Sequence, residues 1–383
     1  MDNSFEFQLP TKVMFGYGKS AELPQVLEQM NVNNLFIVTD KGIVQAGILE
    51  SIVKQLKGKF SCYIFDEVEP DPSTDTVNQA TEIYKQMESD AIVAIGGGSP
   101  IDTAKGIRTV VSNDGKIEDY AGVNLVKNKP KTPLVALPTT SGTGSEVTMF
   151  TVLSDRKEKR KVTVSSPYIA TDVAIVDPKL TMSVPAHFTA ASGYDALAHA
   201  FETFISRISQ PPSEAMALSA IKMINQNLRS VVFNGENKEA RIKMSEASLL
   251  AGLAFNQSYL GLAHAIGSSV SGHANVSHGV AIGLLLPAVV DFNRVSQIEK
   301  YNQLYTYLNG THSLSAIDAS KLFVKVVGEL RNDIGLPQKL REVNVDKELL
   351  EDISIDALKS GMWQFNPRRA SEEEVLQILK NIY

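Results

Sequence analysis

One cysteine, one tryptophan and six histidines are all that 383 residues contain of those three types. The single Cys62 excludes an intrachain disulfide framework. Long apolar runs are missing too. Val280–Val290 (VAIGLLLPAVV) is too short to span a bilayer and reads as core helix, so no membrane partner is expected. The opening MDNSFEFQLP has neither the basic region nor the apolar stretch of a secretory leader, and a reduced, cytoplasmic setting is the expectation. Excess charge of one sign is also absent: 37 Lys and Arg stand against 43 Asp and Glu, for a net charge of -6. No basic stripe interleaved with aromatics is present, which argues against a nucleic-acid surface. Neither a low-complexity tract nor an internal repeat is found.

What is present is length and alternation. A chain this long exceeds the usual single core, so two domains are expected. Short apolar runs at Leu35–Val38, Ser61–Phe65, Ala91–Ile95, Pro133–Leu137 and Val173–Val176 alternate with amphipathic spacing such as Val77, Ala80, Ile83, Tyr84 and Met87. That pattern predicts a parallel sheet covered by helices. Val147–Leu153 and Lys161–Ser165 flank the charged SDRKEKR and predict a hairpin. After TMSVPAHFTA nearly every window has helical periodicity, beginning with 190–208, 213–233 and 239–253. The expected division is an α/β domain over residues 1–183 and an all-α domain over 184–383, with chemistry sought where two such domains meet.

In AIVAIGGGSPIDTAKGI, Gly96, Gly97, Gly98 and Ser99 separate a buried strand from a helix predicted to start near Pro100. Glycine lets backbone approach a ligand closely, and the free amides of a helix start receive phosphate oxygens. The plainer reading is a tight strand-to-helix turn, since neither GxGxxG nor GxxxxGK[ST] is satisfied. A second Gly-rich turn, Thr139 to Ser145 (TTSGTGS), follows the next strand and favours phosphate. Asp40, at the end of the first strand, suits either ribose hydroxyls of an NAD-like ligand or the N-cap of a helix from Lys41.

The scarce histidines are clustered. GYDALAHAFETF puts Asp195 and His199 one helical turn apart, and GLAHAIGSSVSGHANVSHG supplies His264, His273 and His278. His187 and His312 lack such neighbours and are read as structural. A lone core histidine is ordinarily satisfied by hydrogen bonds; this clustering argues for a metal site instead. One Asp with three His is a mixed oxygen and nitrogen set suited to Fe(II), Zn or Mn. Beside a dinucleotide, such an ion points to alcohol oxidation or aldehyde reduction.

From FEFQLPTKVMFGYG through VTDKGIVQAGI, GGGSPIDTAKGI, PLVALPTTSGTGSEVT, VAIVDPKLT, GYDALAHAFE and GLAHAIG to DIGLPQKL and FNPRRASEEEVLQIL, the chain resembles the iron-containing (group III) alcohol dehydrogenases. The resemblance implies an α/β NAD-binding domain joined to an all-α metal-binding domain. It implies Asp195, His199, His264 and His278 as the metal ligands and His273 as a candidate proton relay. For the cofactor it implies Gly97, Gly98 and Ser99 at the pyrophosphate and Asp40 at the adenosine ribose, favouring NAD over NADP. Asp102 is expected near the nicotinamide, Thr139 and Thr140 near the adenine and its ribose, Lys161 near the nicotinamide ribose, and Phe150 along the substrate channel. Two departures stand out: Ser268 replaces a common histidine one turn after His264, and Ser277 replaces a common proline before His278.

The expected activity is hydride exchange between NAD(H) and a short primary alcohol, diol or aldehyde, with Fe(II) as the first expectation for the ion. No covalent intermediate is expected, since no GxSxG elbow is present. Alternatives within the family are a zinc-dependent polyol dehydrogenase, a 4-hydroxybutyrate dehydrogenase or a hydroxyacid-oxoacid transhydrogenase. From another class, a noncatalytic metal- and dinucleotide-binding regulatory protein is motivated by Ser268. A homodimer or larger homo-oligomer is implied by the family.

Overall fold

The computed structural model describes residues 4–158, 160–311 and 313–383, so His312 lies outside the described residues. Two compact units are formed, Leu9–Val184 and Pro185–Tyr383, with the described residues up to Gln8 grouped with the second. That grouping has a local cause. The Gln257 side chain brackets the Gln8 backbone, accepting from its N–H at 3.1 Å and donating to its carbonyl at 2.7 Å.

In the first unit the strands are Lys12–Phe15 (β1), Asn34–Val38 (β2), Ser61–Phe65 (β3), Ala91–Gly96 (β4), Gly122–Val123 (β5), Leu134–Pro138 (β6), Phe150–Asp155 (β7), Arg160–Ser165 (β8) and Val173–Val176 (β9). The helices are Leu23–Gln29 (α1), Lys41–Gln45 (α2), Ile48–Leu56 (α3), Thr74–Gln86 (α4) and Gly98–Asn113 (α5). A six-stranded parallel sheet runs in the order β1-β9-β6-β4-β2-β3. A smaller sheet, β5-β8-β7, contains the antiparallel β7–β8 hairpin.

The period of two along each strand sorts the core into two layers. Phe36, Val38, Ile92, Ala94, Leu134 and Ala136 pack with Val77 and Tyr84 of α4 and Ile101 and Ile107 of α5. Their neighbours Leu35, Ile37, Val93, Ile95, Val135 and Leu137 pack with Leu23 and Leu27 of α1 and Leu49 and Ile52 of α3. Burial on both faces explains why these strands read as unbroken apolar runs.

The second unit is helical: Ala186–Ile205 (α6), Pro211–Phe233 (α7), Lys238–Ser258 (α8), Leu262–Ala274 (α9), His278–Arg294 (α10), Ile298–Asn309 (α11), Ala316–Asp333 (α12), Leu350–Lys359 (α13) and Glu372–Asn381 (α14). Every residue of α6 from Gly193 to Ile205 is buried. A helix buried on all sides belongs at the centre of its bundle, and polar side chains there demand partners. Among the described residues, no helix is long and apolar enough to cross a membrane.

Candidate functional site

The nucleotide features gather at the carboxyl ends of adjacent parallel strands. β4 lies between β2 and β6, so Asp40 after β2, Gly97 after β4 and Thr139 after β6 share one end of the sheet. Thr39 Oγ1 donates to the Ile95 carbonyl at 2.8 Å, and the Thr139 N–H donates to the Gly96 carbonyl at 2.9 Å, tying the three strand ends together.

Helix α5 begins at Gly98, two residues before the predicted start, because proline is tolerated in a first turn and Pro100 sits there. Its N-cap Gly97 supplies no side chain, leaving first-turn amides for an anion. A Cβ on Gly98 would lie 2.9 Å from Thr143 Cγ2, and one on Gly97 would lie 3.3 Å from Thr140 Oγ1. The two Gly-rich turns therefore pack against each other, and side chains would fill the cradle. These features fit a bound pyrophosphate.

Both sequence readings of Asp40 concern one side chain, and its Oδ1 accepts from the Ile43 N–H at 3.0 Å as the N-cap of α2. Asp102 turns inward: Ser145 Oγ donates to its Oδ1, and the Val152 N–H donates to its Oδ2 at 2.9 Å. Burial raises its carboxyl, against the pull of Lys105, Ser145, Val152 and Lys161. Lys105 is itself fully buried and donates to Ser145 Oγ, Thr148 Oγ1 and, at 2.6 Å, the carbonyl of Phe150 at the head of β7. Lys161, on β8, pairs with Asp71 and lies 3.0 Å from Ser154 Oγ. Thr139 is buried.

The metal candidates converge within the helical unit. Asp195 and His199 project from one face of α6, His264 from the first turn of α9, and His278 opens α10. Asp195 Oδ1 lies 3.3 Å from His264 Nε2, 3.7 Å from His278 Nε2 and 3.9 Å from His199 Nε2. The rings stack in series: Phe255 on His199 at 4.8 Å, His199 on His264 at 4.6 Å, with His278 tilted 5.5 Å beyond. A Cβ on Gly279 would fall 2.9 Å from the Ala191 carbonyl oxygen, so glycine after His278 lets α10 approach α6 closely.

The electrostatics favour a cation. Burial alone would raise the Asp195 carboxyl, but the His199, His278 and His264 imidazoles hold it far below the usual carboxylate range. Burial would lower His264, but Glu202 and Asp195 outweigh it and push the imidazole up to about 9. Asp195 Oδ1 and His264 Nε2 are both buried and lack hydrogen-bond partners; at 3.3 Å they face each other without bonding. Two orphaned polar atoms are costly in a native core unless something charged joins them. The donor set, one carboxylate and three imidazoles, fits a divalent transition metal.

His273 is held apart from this group. Nine residues on an α-helix amount to about 13 Å of rise and a half turn of rotation, so it lies on the opposite side of α9 from His264. Its Nε2 is 2.6 Å from Asp356 Oδ2, and Asp356 in turn pairs with Lys359 at 2.6 Å. One residue escaped sequence reasoning altogether: Glu202, a turn beyond His199 on α6, whose Oε2 lies 2.6 Å from His264 Nδ1. The only signal for it was its place in the Asp195, His199, Glu202 spacing, which puts three polar groups on one face of a buried helix.

A family model described as iron-containing alcohol dehydrogenase matches residues 10–178, and its C-terminal counterpart matches 189–383. The chain belongs to the iron-containing alcohol dehydrogenase family. It is 37% identical over 377 residues to the NAD-dependent methanol dehydrogenase of Bacillus methanolicus, covering 98% of this chain and 99% of that one. It is 36% identical over 383 residues to the 1,3-propanediol dehydrogenase of Citrobacter freundii, covering 99% of each. A crystal structure of 1,3-propanediol oxidoreductase superposes with a TM-score of 0.96 at 35% identity, covering 99% of this chain and all of that one. The protein is an NAD-linked, metal-dependent oxidoreductase of alcohols, aldehydes or diols.

Proposed function

We propose that the chain interconverts a short primary alcohol or diol with the matching aldehyde, using Fe(II) held by Asp195, His199, His264 and His278. The observation that carries the reading is the buried, unbonded pair of Asp195 Oδ1 and His264 Nε2, ringed by two more imidazoles. A divalent ion there supplies Lewis acidity, which acidifies a hydroxyl and polarises a carbonyl.

The chain's own residues do the rest. The amides of Gly97, Gly98 and Ser99 take the pyrophosphate, and Asp40 accepts from the adenosine ribose while repelling a 2'-phosphate. Thr139 and Thr140 lie along the adenine and its ribose, Lys161 reaches the nicotinamide ribose, Asp102 braces the nicotinamide end, and Phe150 lines the substrate channel. A bound NAD+ would supply the hydride acceptor for alcohol oxidation, the overall balance being alcohol and NAD+ to aldehyde, NADH and H+. His273, 2.6 Å from the partly exposed Asp356, is the candidate relay for that proton although it stands on the far side of α9 from His264. A homodimer or larger assembly is part of the same reading.

The test is NADH oxidation by metal-free protein reconstituted anaerobically with Fe(II), Zn(II) or Mn(II), against short aldehydes and semialdehydes. Turnover that requires metal and is highest with Fe(II) and unbranched aldehydes is expected. Folded, metal-loaded protein that turns over none of them would move the assignment to the transhydrogenase or noncatalytic alternatives.

A further inference from the structure

Glu202 is 2% exposed in the last turn of α6, and both of its carboxylate oxygens are occupied as acceptors. Its Oε1 accepts from the Ala263 N–H at 2.6 Å, and its Oε2 accepts from the Gly261 N–H at 3.0 Å. The third group on it is His264 Nδ1, 2.6 Å from Oε2. Backbone amides are obligate donors, so the carboxylate already acts as an acceptor, and Nδ1 is the ring nitrogen that carries a proton towards it. In the neutral ring, Nε2 is then left with a lone pair, aimed at Asp195 Oδ1. Neither of these two atoms has a hydrogen-bond partner within the folded chain, so both are available to a cation. The same carboxylate satisfies two orphan amides at the start of α9, where a negative charge is favoured.

We propose that Glu202 is a positioning residue for the metal centre: by holding the Nδ1–H of His264 it fixes the ring's tautomer and rotation so that Nε2 is presented as a ligand. The inference rests on the ligand set proposed above. A carboxylate behind a ligating histidine raises the basicity of that ligand, and loss of such a partner weakens metal binding about 10- to 100-fold. Neighbouring Asn366 provides the contrast. Its Oδ1 accepts from the Leu262 N–H at 3.3 Å, capping the same helix start without contacting a histidine, and it exchanges hydrogen bonds with buried Asn293.

The experiment is titration of metal-free wild type, Glu202→Gln and Asn366→Ala with Co(II), read by visible absorption, alongside the thermal midpoint of each metal-free protein. Glu202→Gln is expected to weaken Co(II) binding about 10- to 100-fold and to alter the ligand-field spectrum, whereas Asn366→Ala lowers the midpoint and leaves affinity close to wild type. Wild-type affinity in Glu202→Gln, or an equal loss in Asn366→Ala, would overturn the proposal, because the intact helix start would then be what matters. Failure of the wild type to bind Co(II) would instead sink the ligand set on which it rests. Should Glu202→Gln not fold, nitrogen NMR of the Zn(II)-loaded wild type decides: a proton on His264 Nδ1 with the metal on Nε2 supports the assignment, and the reverse tautomer ends it.

Discussion

Asp195 Oδ1 faces His264 Nε2 across 3.3 Å in a buried setting, and neither atom has a hydrogen-bond partner. A ligand that binds only the folded chain there stabilises it by mass action, by about 2.7 kcal/mol at a free concentration 100 times its dissociation constant. Chelation is therefore expected to lower the thermal midpoint of the wild type, and added Zn(II) or Fe(II) to restore it. Asp195→Asn keeps the shape but removes the charge, and its midpoint should be insensitive to metal. A midpoint that responds equally to metal in both proteins would show that the ion binds elsewhere.

Buried charge near the Gly-rich turns gives stability a pH dependence with two opposite slopes. Burial raises Glu146 from 4.5 to about 7, against its own backbone N–H and Lys105, so the folded chain keeps a proton that the unfolded chain releases. Its contribution is fully present below pH 4.5 and is lost as pH rises to about 7. Burial lowers Lys105 from 10.5 to about 8, against Asp102 and Glu146, so between those values the unfolded chain holds the extra proton and stability rises with pH. Each slope amounts to on the order of 3 kcal/mol across its window. Urea midpoints against pH should lose the acidic-side fall in Glu146→Gln and the alkaline-side rise in Lys105→Met. Parallel profiles for wild type and variants would refute both assignments.

Asp40 caps α2, and one substitution separates that role from the proposed contact with the adenosine ribose. Serine caps a helix about as well as aspartate, whereas alanine costs roughly 1 kcal/mol. Asp40→Ser should therefore hold its thermal midpoint while the ratio of kcat/KM for NADH over NADPH falls by about tenfold or more, the equivalent of 1.4 kcal/mol. Unchanged cofactor preference in a stable Asp40→Ser protein would leave the side chain a helix cap alone.

The strands were legible because their physics is local. Ala91–Ile95 is apolar on every residue, as a strand buried on both faces must be, and Gly96 and Gly97 mark its end. The histidines were legible because they are few and grouped. What could not be read was whatever depends on partners distant in sequence. Glu202 resembles any helical glutamate until Gly261, Ala263 and His264 fold onto it. Lys161 meets Asp71 across ninety positions, and residues near Gln8 join the helical unit through Gln257. The start of α5 was displaced because Gly98 and Ser99 look like loop residues, although the first helical turn accepts them.

His273 and Asp356 make a pair whose chemistry can be separated from its packing. His273 is a quarter exposed, and its partner also meets Lys359, so neither side chain holds the core together. General acid-base groups contribute about 100-fold or more to rate, and a relay one step removed contributes less, so His273→Ala should lower kcat about tenfold with KM for NADH little changed. Small imidazole or formate buffers should restore part of that loss, because they carry protons along the same route. Asp356→Asn keeps the size of the side chain but removes its carboxylate, and its kcat should fall alongside that of His273→Ala if the pair relays the proton. If both variants keep wild-type kcat from pH 6 to 9, the proton leaves by another path, and Ser268, one turn after His264 on the same face of α9, becomes the group to replace.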